Sequence, residues 1–342
     1  MTGFLKILKA GPNITVQDWG WQGTLSFGLS RGGAADTRAL LEAAVLLGHA
    51  SDCAAIELAG LGGDFVTSVD TIIALTGAPM PATLEGRALV WNASHVMRAG
   101  ERLSIGAARQ GVYGYLSVAG GVVTEARFGS RSTHLTAGIG ARLNGGDTVP
   151  IGIGPSELFS QALTPDARFE GGVIRILPSA QTDFFPEETR NRFEATTFIR
   201  SPLGNRQGVR LAFEGDPFTM SDQLTLLSEM VVPGDIQMAG DGSPYVLMPD
   251  CQTTGGYPRI GTVLPDDLLR VAQAAPGTEL RFQFLSHAEA LALHQTKEMQ
   301  LAKLAADVAP LVRDPHDIAN LLDYNLISGV VSGNEDEGSA HE

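Results

Sequence analysis

Residues 250–261 read DCQTTGGYPRIG, which sets a thiol, an amide, two hydroxyls, two adjacent glycines and a guanidinium in one short stretch. Successive backbone N–H groups at Thr253, Thr254, Gly255 and Gly256 can converge on one anion. Gln252 and Tyr257 add polar contacts, and Arg259 brings the charge that a carboxylate or phosphate needs. Cys251 invites a nucleophilic reading, but a thiol nucleophile requires a base and a lowered pKa. No histidine lies within 30 residues of it along the chain. The stretch therefore reads as a binding loop with an inert cysteine.

Three further stretches have the same character. In VQDWGWQGTLSFGLSRGGAADTRA (16–39), Gln17 and Asp18 precede two of the chain's three tryptophans. There Arg31-Gly32-Gly33 leads into a helix that Asp36 can cap. A glycine-flanked helix N-terminus beside an arginine suits an anion. The same pattern also serves as a capped helix over a tryptophan-containing core. In RFGSRSTHLTAG (127–138), Ser130, Ser132 and Thr133 offer hydroxyls and Arg131 a guanidinium fork. In GNRQGVRL (204–211), Arg206 sits between two amides before a strand.

Several self-contained chemistries are missing. A GxGxxG pattern begun at Gly60, Gly138 or Gly152 ends on Phe65, Leu143 or Glu157, so there is no dinucleotide fingerprint. HExxH and GxSxG are absent, and the histidines are scattered, so no metal site is expected. The lysines are Lys6, Lys9, Lys297 and Lys303. The body of the chain thus has no P-loop lysine, no Schiff-base lysine and no lysine to carry covalent biotin. Cys53 and Cys251 form no CxxC and suit a reducing compartment.

At 342 residues the chain exceeds the usual size of one hydrophobic core, so two domains are the default. A net charge of −14 argues against nucleic acid as a partner, although a local arginine cluster can still bind a small anion. No stretch approaches a membrane span or a signal peptide, and a cytoplasmic location is expected.

The elements that must position these groups are mostly strands. FLKILKAG, IELAG, TIIALTG, GVYGYLSVAGG, GVIRILP, VRLAFEG, PYVLMPD and ELRFQF alternate apolar residues between glycines. A glycine turn feeding a strand recurs at Gly100, Gly146, Gly234 and Gly277. Helices are expected over 36–49, 185–195 and 264–277, with a long helical pattern after 286 and a disordered acidic end. The expected organisation is a β domain over 1–195, a β-barrel domain over 196–286 and a helical tail over 287–342.

Taken together, TVQDWGWQG (15–23), GGAADTRAL (32–40), ALTGA (74–78), YLSVAGG (115–121), GSRST (129–133), NRQGVRL (205–211) and DCQTTGGYPRIG (250–261) resemble one family. It is the biotin-dependent carboxyltransferase-like family, also called allophanate hydrolase subunit 2, which includes the 5-oxoprolinase C component and KipA-type proteins. The resemblance implies a mainly β fold with a few helices, built from cyclophilin-like β-barrel domains. It implies a component of an ATP-dependent 5-oxoprolinase that opens a lactam to glutamate, with ATP and Mg bound in the complex. The implied partners are an allophanate hydrolase subunit 1-type protein, similar to the 5-oxoprolinase B component, and a lactam-utilisation protein of the A type. A urea carboxylase-like carboxyltransferase component and a non-enzymatic KipA-type antagonist of a kinase inhibitor are the alternatives. On this reading Asp18, Arg131, Arg206 and Arg259 are catalytic. Gln17, Arg31, Asp36, Ser130, Ser132, Gln252, Thr253, Thr254, Gly255, Gly256 and Tyr257 hold substrate or anion. Family members often carry Ser where this chain has Gly32.

Overall fold

The computed structural model describes residues 3–154, 160–220 and 226–311. The expected acidic end lies outside the described residues. The N-terminal part is two sheets facing one another. One has the strand order Thr148–Ile151, Gly3–Ala10, Gly63–Thr67, Arg102–Ile105, Ala82–Leu84, Arg87–Leu89. The other runs Ile14–Gln17, Ala55–Ala59, Tyr113–Val118, Thr71–Gly77, Ala93–Met97, Gln161–Ala162, Ala309–Pro310. Leu5, Ile7, Phe65 and Leu103 of the first meet Ile56, Leu75, Met97 and Leu116 of the second. Gly3–Ala10 alternates buried and exposed residues, as a strand with one wet face must. Tyr113–Val118 is buried throughout, because a helix covers the second sheet's outer face.

That helix, α1 (Thr37–Leu47), starts where the Asp36 side chain accepts from the Ala39 N–H and stops at Gly48 in left-handed backbone. Helices α2 (Glu187–Ala195) and α3 (Pro265–Gln273) lie within the regions expected to be helical. The C-terminal barrel closes seven strands in the order Gly172–Leu177, Arg259–Val263, Asp235–Met238, Pro244–Leu247, Gly208–Ala212, Phe198–Gly204, Glu279–Phe284. Closure comes from a parallel pair, Gly172–Leu177 against Glu279–Phe284. Gly172–Leu177 precedes residue 195, so this barrel strand lies on the N-terminal side of the expected boundary. Phe193 of α2 packs into the barrel's core cluster, with the rings of Phe198, Phe218 and Phe282 at 5.0, 5.4 and 5.1 Å. The mainly β reading with few helices is borne out.

After residue 286 the helical pattern forms two pieces, α4 (His287–Leu293) and α5 (Lys297–Asp307). Each begins with a hydroxyl cap, Ser286 with a full capping box and Thr296. Leu304 of α5 packs with Leu41, Leu46 and Leu47 of α1, and Ala309–Pro310 pairs with Gln161–Ala162. The tail is therefore joined to the N-terminal sheets. No helix among the described residues is long and apolar enough to cross a membrane.

Candidate functional site

A chain of buried charges joins the two parts. Arg206 donates from Nε and Nη2 to Asp250 at 2.8 Å, from Nη1 to Glu57 at 2.6 Å and from Nη2 to the Gly33 carbonyl at 2.6 Å. Burial works against its charge, but Glu57 and Asp250 more than offset that and raise its pKa above the ordinary arginine value. Glu57 also accepts from Tyr115 Oη at 2.6 Å and from the Ala35 N–H at 2.9 Å. Burial and Glu57 push the Tyr115 phenol well up. Asp36 accepts from Arg168 Nε and Gln273 Nε2, both at 2.8 Å, besides capping α1. Arg168 then binds Glu42 through both terminal nitrogens, at 2.7 and 2.8 Å. Arg206 and Asp36 thus have protein partners at every described polar contact.

A second knot lies in the N-terminal sheets. Asp18 Oδ1 accepts from Ser130 Oγ at 2.5 Å, from Ser132 Oγ at 2.6 Å and from the Gly20 N–H at 2.8 Å. Its Oδ2 accepts from the Arg131 N–H at 2.7 Å. Gln17 is fully buried and donates to Thr15 and to the Thr133 carbonyl. The structure brings Gln17, Asp18, Ser130 and Ser132 together as spacing alone did not require, and turns them on one another. The Arg131 guanidinium has no hydrogen bond among the described residues.

The stretch 250–261 divides likewise. Thr254–Gly255 is a two-residue strand paired with Glu229–Met230, so its backbone groups face a strand rather than forming a concave cradle. The Thr253 carbonyl accepts from Val231 N–H. Arg259 is tied to Glu229 at 2.5 Å, to Asp235 at 3.3 Å and to the Met230 carbonyl at 2.9 Å. A Cβ at Gly255 would lie 2.5 Å from Gln237 Nε2, whereas Gly256 has ordinary room. Gln252 and Tyr257 line a cavity of about 680 Å³ at the barrel wall with Asn205, Gln207, Gln237 and Tyr245. Cys251 is 2% exposed beside Val231 and Leu247. Burial, with Asp235 and Asp250 nearby, pushes its thiol up to about 12, the opposite of nucleophile activation.

One pair that sequence reasoning did not single out is Ser30 with His134, whose Oγ and Nε2 are 2.8 Å apart. Both are buried. His134 Nδ1 accepts from the Ala137 N–H, which makes Nε2 the protonated nitrogen. The imidazole therefore donates to Ser30 and does not serve as its base.

A further opening is a cleft of about 440 Å³ between the two parts. Its walls come from 19–41, from residues of the C-terminal part including Pro249 and Pro265 of α3, and from 294–300. Trp19 and Trp21 are held by indole N–H bonds to the Ser51 and Arg127 carbonyls at 2.6 and 2.8 Å. Gly32 sits at φ +58 with Trp21 Cζ3 only 2.5 Å from where a Cβ would be, so glycine permits the tryptophan's position. Arg31 lines the cleft with no side-chain hydrogen bond or salt bridge among the described residues. Burial by the walls lowers its pKa. The carboxylate among the described lining residues, Asp266, accepts from Gln300 at 3.1 Å. A guanidinium without a counter-ion, in a cleft that Trp19 and Trp21 also line, can take up an oxyanion. Among the described residues no three His, Cys, Asp or Glu side chains are grouped as a metal would need.

Comparison with known proteins gives a consistent picture. Residues 27–284 match the carboxyltransferase domain family, subdomains A and B. The chain is 36% identical over 308 residues to the C component of 5-oxoprolinase from Escherichia coli, covering 88% of this chain and 97% of that protein. It is 32% identical over 314 residues to the Haemophilus influenzae protein of the same name, again covering 88% and 97%. The crystal structure of the K. lactis urea amidolyase matches with a TM-score of 0.81 at 23% identity, over 91% of this chain and 21% of that one. That last likeness speaks to the fold.

Proposed function

The chain belongs to the carboxyltransferase domain family, subdomains A and B, and from that premise we propose that it serves as one component of an ATP-dependent 5-oxoprolinase. The observation that carries this reading is the 36% identity across 97% of the E. coli 5-oxoprolinase component. The urea amidolyase match runs over only 21% of that chain, which favours the oxoprolinase reading over a carboxyltransferase component. The reaction opens the lactam of 5-oxoproline to glutamate. ATP supplies the activation that an unreactive amide carbonyl needs, and any Mg ion enters with its phosphates.

The residues of this chain suit a binding share in that reaction. Arg31 is the cleft guanidinium left without a protein counter-ion, and it fits the substrate carboxylate or a phosphate oxygen. Trp19 and Trp21 exclude water from that contact and strengthen it. The Arg206 network joins the two parts and the Asp18 network fixes the loops of the N-terminal sheets, so they position the site rather than touch the substrate. Both relatives are named as one lettered component of a larger enzyme, which implies further chains. The expected ones are an allophanate hydrolase subunit 1-type protein and a lactam-utilisation protein of the A type. The test is to co-express the three chains, purify the complex and measure glutamate formed from 5-oxoproline with ATP. An assembled complex that makes none refutes the reading.

A further inference from the structure

The family match ends at residue 284, yet the cleft has a wall beyond it. α5 begins at Lys297, whose ammonium lies 4.3 Å from the centroid of the Trp19 ring. Lys297 lines the same cleft as Arg31. Like Arg31, it forms no salt bridge among the described residues. Its placement is fixed from both sides: Trp19 is anchored to Ser51, and Leu304, two turns on, is 4% exposed against α1. Among the described lining residues the cleft thus carries Arg31 and Lys297 against the one carboxylate Asp266, in a chain whose net charge is −14. Local positive charge maintained against such a background marks a place for a negative ligand.

We infer that Lys297 and Arg31 form a two-cation seat for an oxyanion, so that the C-terminal helices complete a binding site the family domain leaves open. The ligand chemistry is a carboxylate or phosphate oxygen, supplied by 5-oxoproline or by ATP. The inference rests on the proposed function for the ligand's identity, but the seat itself is testable without turnover.

Trp19 and Trp21 line the cleft, whereas Trp91 packs against the core of the N-terminal sheets, so tryptophan fluorescence reports on the seat. The intact chain is titrated with inorganic pyrophosphate, then with ATP and with 5-oxoproline. A saturable change is expected for pyrophosphate. Lys297→Met, which keeps an aliphatic stem over Trp19, weakens it about tenfold or more, as does Arg31→Met. Lys297→Arg stays within about threefold of wild type. Lys303→Met, on the same helix but outside this cleft, controls for the lost net charge and binds as wild type. Melting temperatures of all variants verify the fold. Dependence on Lys297 for 5-oxoproline alone makes the carboxylate the ligand, dependence for ATP alone makes it the phosphate, and either supports the seat. Wild-type affinity in Lys297→Met overturns it, as does equal weakening in Lys303→Met or no saturable binding of any of the three anions. A complex that makes no glutamate while Lys297-dependent binding persists refutes the oxoprolinase reading and leaves the seat standing.

Discussion

Replacing Arg206 by alanine distinguishes a guanidinium that holds the molecule together from one that acts on substrate. The native side chain makes four hydrogen bonds of 2.6–2.8 Å to Asp250, Glu57 and the Gly33 carbonyl. Alanine leaves the Glu57 and Asp250 carboxylates, 1% and 6% exposed, without that counter-ion. Stranding buried charge in this way costs about 3–5 kcal/mol. At about 2–4 °C per kcal/mol for a chain of this order of size, the melting temperature falls by roughly 6–20 °C. Arg206→Lys keeps the charge but loses the fork, and is expected to melt between the two. The measurement is thermal unfolding of the purified chain, with turnover of the assembled complex recorded in parallel. If Arg206→Ala melts within about 1 °C of wild type while turnover disappears, the guanidinium acts on substrate and the structural argument is wrong.

The other expectations are independent of that one. Iodoacetamide at pH 8 is expected to leave Cys251 unlabelled in the folded chain and to modify it after unfolding, since burial holds the thiol near 12; peptide mass spectrometry that finds the adduct in native protein contradicts this. Cys251→Ser correspondingly retains partner-dependent activity. Gly32→Ser restores a residue common in the family but places a Cβ 2.5 Å from Trp21 at φ +58, so a loss of about 1–3 kcal/mol and a shifted tryptophan emission are expected; unchanged unfolding means Trp21 moves freely. His95, buried and bonded to the Val90 carbonyl at 2.7 Å, has its pKa lowered first by burial. The unfolded histidine takes up a proton below about pH 6.5 while the folded one resists, so stability is lost as pH falls from 6.5 through the lowered folded value. His95→Gln flattens that part of the stability–pH curve, and an unaltered slope assigns it elsewhere.

Much of the local structure was legible because its causes are local. The alternation in FLKILKAG yields a strand that alternates buried and exposed residues, with one wet face, and Asp36 and Gly48 bound α1 as their chemistry dictates. The break between α4 and α5 was not, although Thr296 is an ordinary cap, because the apolar spacing continues across it. Glu57 left a faint signal, a lone carboxylate inside the otherwise apolar AIELA. Arg168, which neutralises Asp36 and Glu42, left none.

By itself the chain's sequence determined which groups with binding chemistry exist, that strands carry them, and that its motifs are those of a carboxyltransferase-like family. Only the tertiary structure decided which of those groups are free. Arg206 meets Glu57 across 149 positions, and Asp36 meets Gln273 across 237. Arg259 has Glu229 and Asp235, while Arg31 has no such partner among the described residues. A guanidinium's role is set by what neutralises it, and that partner is chosen by how the sheets and barrel pack, not by its neighbours in sequence.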